Sequence, residues 1–123
     1  MSILIVDDNA VMRRAIGRAV RDLTDRVIEC ADGAEAFVVY EENQPEWVLM
    51  DVAMAEKDGL TATREICEAY PSARVVIVTN YDGDEIREAA RKAGAIGFVL
   101  KENLLELRVI LTAPTNQSAD DAH

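Results

Sequence analysis

WVLMDVAMAEKDG, residues 47–59, is the stretch on which the fold turns. Trp47, Val48, Leu49 and Met50 form the unbroken apolar run of a strand buried on both faces. The run ends on a carboxylate, Asp51, passes through Ala53-Met54-Ala55, and reaches Asp58-Gly59, a pair suited to opening a helix. A buried strand that stops on an acidic residue and then leads into a helix is half of a βαβ unit.

The same alternation repeats on either side. Apolar runs occur at ILIV 3–6 (β1), RVIEC 26–30 (β2), WVLM 47–50 (β3), RVVIV 74–78 (β4) and GFVL 97–100 (β5). Helix-like segments lie between and after them, near 10–23 (α1), 34–43 (α2), 59–69 (α3), 84–93 (α4) and 103–112 (α5). Asp32-Gly33, Asp58-Gly59 and Asp82-Gly83 mark helix starts, and Gly94 marks an end. In α1, Met12, Ile16, Ala19, Val20 and Leu23 share one side. Arg13, Arg14, Arg18 and Arg21 take the other, which reads as a solvated face without a site. The rhythm is (βα)5, an α/β fold with a doubly wound parallel sheet, because right-handed crossovers place helices on both faces. Such sheets hold ligands at their carboxyl ends.

The bulk numbers restrict function. A chain of 123 residues suits one domain with its own core. With 23 acidic residues against 13 basic ones and a net charge of -10, it lacks the clustered positive charge that a phosphate backbone requires, so direct nucleic-acid binding is not expected. Cys30 and Cys67 have no Cys or His neighbours at metal-ligand spacing and read as small core residues of a reduced compartment. The start, MSILIVDDN, has neither a basic leader nor an apolar span, and a cytoplasmic protein without membrane contact is expected. The domain is read over 1–112, and the polar segment 113–123 as a flexible tail or linker remnant with no second domain after it.

Asp7 and Asp8 leave the end of β1, Asp51 that of β3, Thr79 that of β4 and Lys101 that of β5, which brings all five to one rim. Singly, each has an ordinary role: Asp8 or Asn9 suits a cap for α1, Thr79 a loop hydrogen bond, and Lys101 a solvated surface. Jointly they pose an electrostatic problem. Two carboxylates about 4 Å apart repel by roughly 4 kcal/mol at an effective dielectric near 20, so three at one rim need a cation or must take up protons. Oxygen ligands and negative charge suit a hard divalent ion such as Mg²⁺. A metal, an ammonium, a hydroxyl and a carboxylate nucleophile are the parts for moving a phosphoryl group, with Asp51 as acceptor.

ILIVDDN at 3–9, VLMDVAM at 48–54 with DGL at 58–60, VVIVTN at 75–80 and AGAIGFVLK at 93–101 together resemble the receiver domains of two-component response regulators. The resemblance spans about residues 2–112 and implies a flavodoxin-like sheet of strand order 2-1-3-4-5. It implies that Asp51 takes phosphate from a sensor histidine kinase or phosphotransfer protein. Asp7, Asp8, Asp51 and the backbone carbonyl of Ala53 would hold Mg²⁺, and Lys101 would pair with the phosphoryl oxygens. Thr79 matches the switch hydroxyl and Phe98 the switch aromatic, through which the α4-β5-α5 face changes shape for a downstream protein target or a homodimer. The segment 79–103 looks most like receivers whose output is a helix-turn-helix domain.

The pattern departs at three positions. Ala55 replaces a frequent proline, and Phe98 lacks a tyrosine hydroxyl. Glu102 replaces the proline of a frequent cis Lys-Pro bond, so the Lys101-Glu102 peptide is either trans with Lys101 aimed differently, or cis and strained. Ala53 and Asn80 stand where relatives tune access to the phosphoryl group, and Trp47 offers a nearby fluorophore. The leading expectation is a signalling phosphoacceptor that is no enzyme beyond phosphorylating and dephosphorylating itself. The alternative is a phosphorylation-independent interaction module on the same fold. An aspartyl-phosphate phosphatase would need a second Asp where Ala53 stands, and a flavin or nucleotide site would need a glycine-rich loop after β1.

Overall fold

A computed structural model describes residues 1–54 and 57–113. The elements run β1 (Ser2–Val6), α1 (Ala10–Val20), β2 (Arg26–Cys30), α2 (Gly33–Asn43), β3 (Trp47–Met50), α3 (Gly59–Ala69), β4 (Val75–Thr79), α4 (Asp84–Ala93), β5 (Gly97–Leu100) and α5 (Leu104–Thr112). Single 3₁₀ turns at Arg21–Leu23 and Lys101–Asn103 complete the path. All five strands are parallel in the order β2-β1-β3-β4-β5, so β1 lies between β2 and β3 and the strand order reverses there.

The expected elements are present with small shifts. β4 begins one residue later than RVVIV suggests and takes in Thr79, which pairs in register with Leu100. Three helices begin on side-chain caps: Asn9 accepts from Met12 N, Asp32 from Ala34 N and Asp58 from Thr61 N. α4 ends on Gly94 at φ 113°, a left-handed position suited to glycine. No described helix is long and apolar enough to cross a membrane.

Alternation along the strands divides the apolar residues between the two faces of the sheet. Leu4, Val6, Val48, Met50, Val75 and Ile77 pack under α2, α3 and α4 with Ala36, Tyr40, Ala62, Ile66 and Ala90. Ile3, Ile5, Leu49, Val76, Val78 and Val99 pack under α1 and α5 with Ile16, Val20, Leu107 and Leu111. Burial on both faces explains why β1, β3 and β4 read as unbroken apolar runs.

Candidate functional site

The rim at the carboxyl ends of β1 and β3 is built from backbone pairing. Val6 and Met50 are partners in register, so the next residues, Asp7 and Asp51, emerge side by side. Asp51 N donates to Val6 O at 2.9 Å and Asp7 N to Cys30 O at 3.1 Å, which carries the sheet pattern one residue past the strands. Both carboxylates are buried, Asp7 at 1% and Asp51 at 6% exposure. Asp7 Oδ1 accepts from Asn9 N at 2.8 Å and Asp51 Oδ1 from Val52 N at 2.9 Å.

Lys101 bridges the two acids. Its Nζ lies 2.8 Å from Asp7 Oδ2 and 3.4 Å from Asp51 Oδ1, with the side chain only 8% exposed. The contact with Asp7 is short but poorly directed, so the buried Oδ2 lacks a well-aligned hydrogen bond. The chain has no cis peptide among its described residues, and Lys101 points at the carboxylates through the 3₁₀ turn that follows β5. The trans bond therefore does not aim the ammonium elsewhere.

Charge follows this geometry. Burial raises the Asp51 pKa above its ordinary value, the charge of Asp7 raises it further, and Lys101 and the Val52 amide oppose them without cancelling the rise. Burial alone pulls Lys101 down, but its contact with Asp7 and the charges of Asp51 and Asp7 leave its pKa above the usual lysine value.

Asp8 is exposed beside this pair, and one oxygen from each of Asp7, Asp8 and Asp51 lies within 4.8 Å of the others. Three carboxylates, one with an under-satisfied buried oxygen, make an all-oxygen donor set that fits Mg²⁺. Ala53 is exposed on the loop after β3, two residues past Asp51. Ala55 lies outside the described residues.

Thr79 is fully buried at the end of β4, and its Oγ1 accepts from Tyr81 N at 3.2 Å. Asn80, next in sequence, is exposed. Phe98 is half-buried, pairs in register with Ile77 and packs on the α2-α3-α4 side of the sheet. The Arg87 guanidinium stands 4.5 Å from its ring centroid, and Arg87 Nε pairs with Asp82 at 3.0 Å. Arg87 and Phe98 border a cavity of about 160 Å³ between α4 and β5.

A family model for the response regulator receiver domain matches residues 3–112. The chain belongs to this family. The receiver domain is 36% identical over 104 residues to the transcriptional regulatory protein YhcZ of Bacillus subtilis, covering 83% of this chain and 49% of that protein. It is 34% identical over 99 residues to the chemotaxis protein CheY of Halobacterium salinarum, covering 80% of this chain and 82% of CheY. Among solved structures, a LuxR-family two-component response regulator from Aurantimonas sp. SI85-9A1 superposes with a TM-score of 0.80 at 31% identity, covering 89% of this chain and 84% of the other. The receiver domain thus spans about half the length of the transcriptional regulator and most of CheY.

Two sequence expectations need correction within the receiver domain. Arg13 does not belong to a solvated face: its side chain is 18% exposed, its Nε pairs with Glu29 at 2.9 Å, and its Nη1 donates to the Asp7 carbonyl at 2.7 Å. Arg14 and Arg18 are exposed as expected. Trp47 is not near the acceptor. It stands at the opposite end of β3, about 13 Å away at ~3.3 Å per residue, is 6% exposed, and lies under the Arg74 guanidinium.

Proposed function

We propose that this receiver domain accepts a phosphoryl group on a carboxylate oxygen of Asp51 and signals by reshaping its α4-β5-α5 face for a downstream protein. The observation that carries this reading is the placement of Lys101 Nζ between Asp7 and Asp51 at a buried rim. The donor is a phosphohistidine of a sensor histidine kinase or phosphotransfer protein. An Asp51 oxygen attacks phosphorus, the phosphorus–nitrogen bond breaks, and the imidazole leaves with the bonding electrons.

Burial behind β3 and the hydrogen bond from Val52 N hold Asp51 in one orientation, which removes the entropic cost of aligning it. Lys101 is already charged and desolvated, so turning from Asp51 toward the phosphoryl oxygens requires little reorganisation. Asp7, Asp8 and Asp51 with the Ala53 carbonyl are the groups to hold Mg²⁺, which when bound neutralises charge on the equatorial phosphoryl oxygens. Thr79 gives up its hydrogen bond from Tyr81 N to meet the phosphoryl group, and Phe98, lining the α4-β5 cavity, follows.

The chemistry is confined to the domain's own acceptor: it gains and loses one phosphoryl group and has no separate substrate. A cytoplasmic setting, where histidine kinases present their phosphohistidine, fits this role, and a homodimer through α4-β5-α5 is one form the output could take. Incubation with Mg²⁺ and acetyl phosphate, followed by intact-mass measurement, tests the proposal. Wild type gains one phosphoryl group and Asp51→Asn gains none. Labelling of neither favours the phosphorylation-independent module instead, and equal labelling of both overturns Asp51 as the acceptor.

A further inference from the structure

Arg13 lies outside the set Asp7, Asp8, Asp51, Thr79 and Lys101, yet it is tied to that set by a hydrogen-bond network that runs from the surface at Glu29 to the half-buried Asp7 carbonyl. Its Nη1 donates to the carbonyl oxygen of Asp7 at 2.7 Å, and that carbonyl belongs to the peptide joining Asp7 to Asp8. Its Nε is held by Glu29 Oε1 at 2.9 Å, and Glu29 is anchored on β2 opposite Ile5 of β1. Asp7 N bonds to Cys30 O, and Arg13 N to Asn9 O. The peptide between the two acidic residues is therefore gripped at the Asp7 carbonyl by an arginine that β2 itself holds, while the Asp7 amide ties the preceding Val6-Asp7 peptide to β2.

Asp7 is held further through its side chain, but Asp8 is not. The Asp8 carboxylate is exposed, and no described group hydrogen-bonds to it. Its direction depends on the peptide plane that precedes it. We propose that Arg13 is a positioning residue for the cation site, fixing the Asp7-Asp8 peptide and so aiming Asp8 at the shared site with Asp7 and Asp51. The proposal rests on the reading of those three carboxylates as a Mg²⁺ site. Groups that orient metal ligands without touching the metal change affinity by about tenfold or more when removed.

The positioning role and a purely electrostatic one predict opposite signs. An arginine acting only as a nearby positive charge repels Mg²⁺, so its removal would tighten binding. A positioning arginine makes binding weaker when lost. The experiment is calorimetric titration of Mg²⁺ alone into unphosphorylated wild type, Arg13→Gln, Asp8→Asn and the double variant, with circular dichroism to check folding. Arg13→Gln is expected to weaken Mg²⁺ binding about tenfold, and to have almost no further effect once Asp8 is Asn, because the two changes share one cause.

Arg13→Lys keeps the charge but reaches only one of the two partners, so it also binds more weakly than wild type, and it replaces Arg13→Gln if that variant does not fold. Binding as tight as or tighter than wild type in the Arg13 variants, or full additivity with Asp8→Asn, overturns the proposal. If wild type itself binds no Mg²⁺, the cation reading falls first and takes this proposal with it.

Discussion

Gly59 packs directly on the backbone of Asp51: a β-carbon at Gly59 would fall 1.7 Å from the Asp51 carbonyl oxygen. The first turn of α3 thus closes the loop after β3, with Gly59 N donating to Val52 O at 2.8 Å. Gly59→Ala forces the helix and the acceptor apart. The expected cost is about 2 kcal/mol of stability, typical of overpacking, with a loss of phosphorylation larger than that figure explains. Urea unfolding and acetyl phosphate labelling check the two effects separately.

Lys101 faces two buried carboxylates, so its removal leaves like charges without a partner. Lys101→Ala is expected to lose about 3 kcal/mol at neutral pH in the presence of a chelator. Added Mg²⁺ supplies the missing charge and recovers much of that loss. Thermal melts with and without Mg²⁺ read this directly, and a variant insensitive to Mg²⁺ contradicts it.

The Asp51 pKa is raised in the folded state, first by burial and then by Asp7. The folded chain holds this proton more firmly than the unfolded one does. Its contribution to stability is therefore complete below the ordinary aspartate range and is lost as pH rises through the folded value. Asp51→Asn, which cannot ionise, is expected to be more stable than wild type at neutral pH, and the difference shrinks as the solution is acidified. Urea midpoints across that range are the measurement.

Arg87 rests on the Phe98 ring while held by Asp82, so movement of Phe98 on phosphorylation is expected to break this contact. An exposed cation–π contact contributes about 0.5–1 kcal/mol, so losing it shifts a two-state balance about two- to fivefold. Arg87→Ala is expected to tighten beryllofluoride binding by that factor. Unchanged or weaker binding means that Arg87 does not restrain Phe98.

Because Trp47 lies at the far end of β3, its emission is expected to stay nearly constant when beryllofluoride binds. Arg74→Ala, which uncovers the ring, is expected to change it. A large spectral response to beryllofluoride with Arg74 intact would mean that the whole strand moves.

β1, β3 and β4 were legible because burial on both faces fills them with apolar residues, and the rim because Asp7, Asp51 and Lys101 each directly follow an apolar run. Asn9 and Asp58 announced their helices through cap chemistry that acts within three residues. Arg13 was hidden for the opposite reason. Helical spacing assigns it to the polar side of α1, and its inward course is set by Glu29 on another strand, through a register no local pattern contains. A carboxylate pointing away from the core of β2, near the acidic pair, was the available clue. The aim of Lys101 was similarly open, since one backbone turn after β5 decides it.

The sheet acts as a watertight bulkhead between two compartments. Phe98, Arg87 and α4 share one side with α2 and α3, whereas α1 and α5 close the other around Ile16, Val20, Leu107 and Leu111. A signal that starts at the rim and repacks α4 and β5 is expected to reach the outer side of α5 while the core packed beneath α1 and α5 stays closed. In hydrogen exchange, α4, β5 and the loop before α4 would change protection while α1 and the strands beneath it kept their slow amides, so the molecule can alter one outer surface while the rest of the sheet holds it folded.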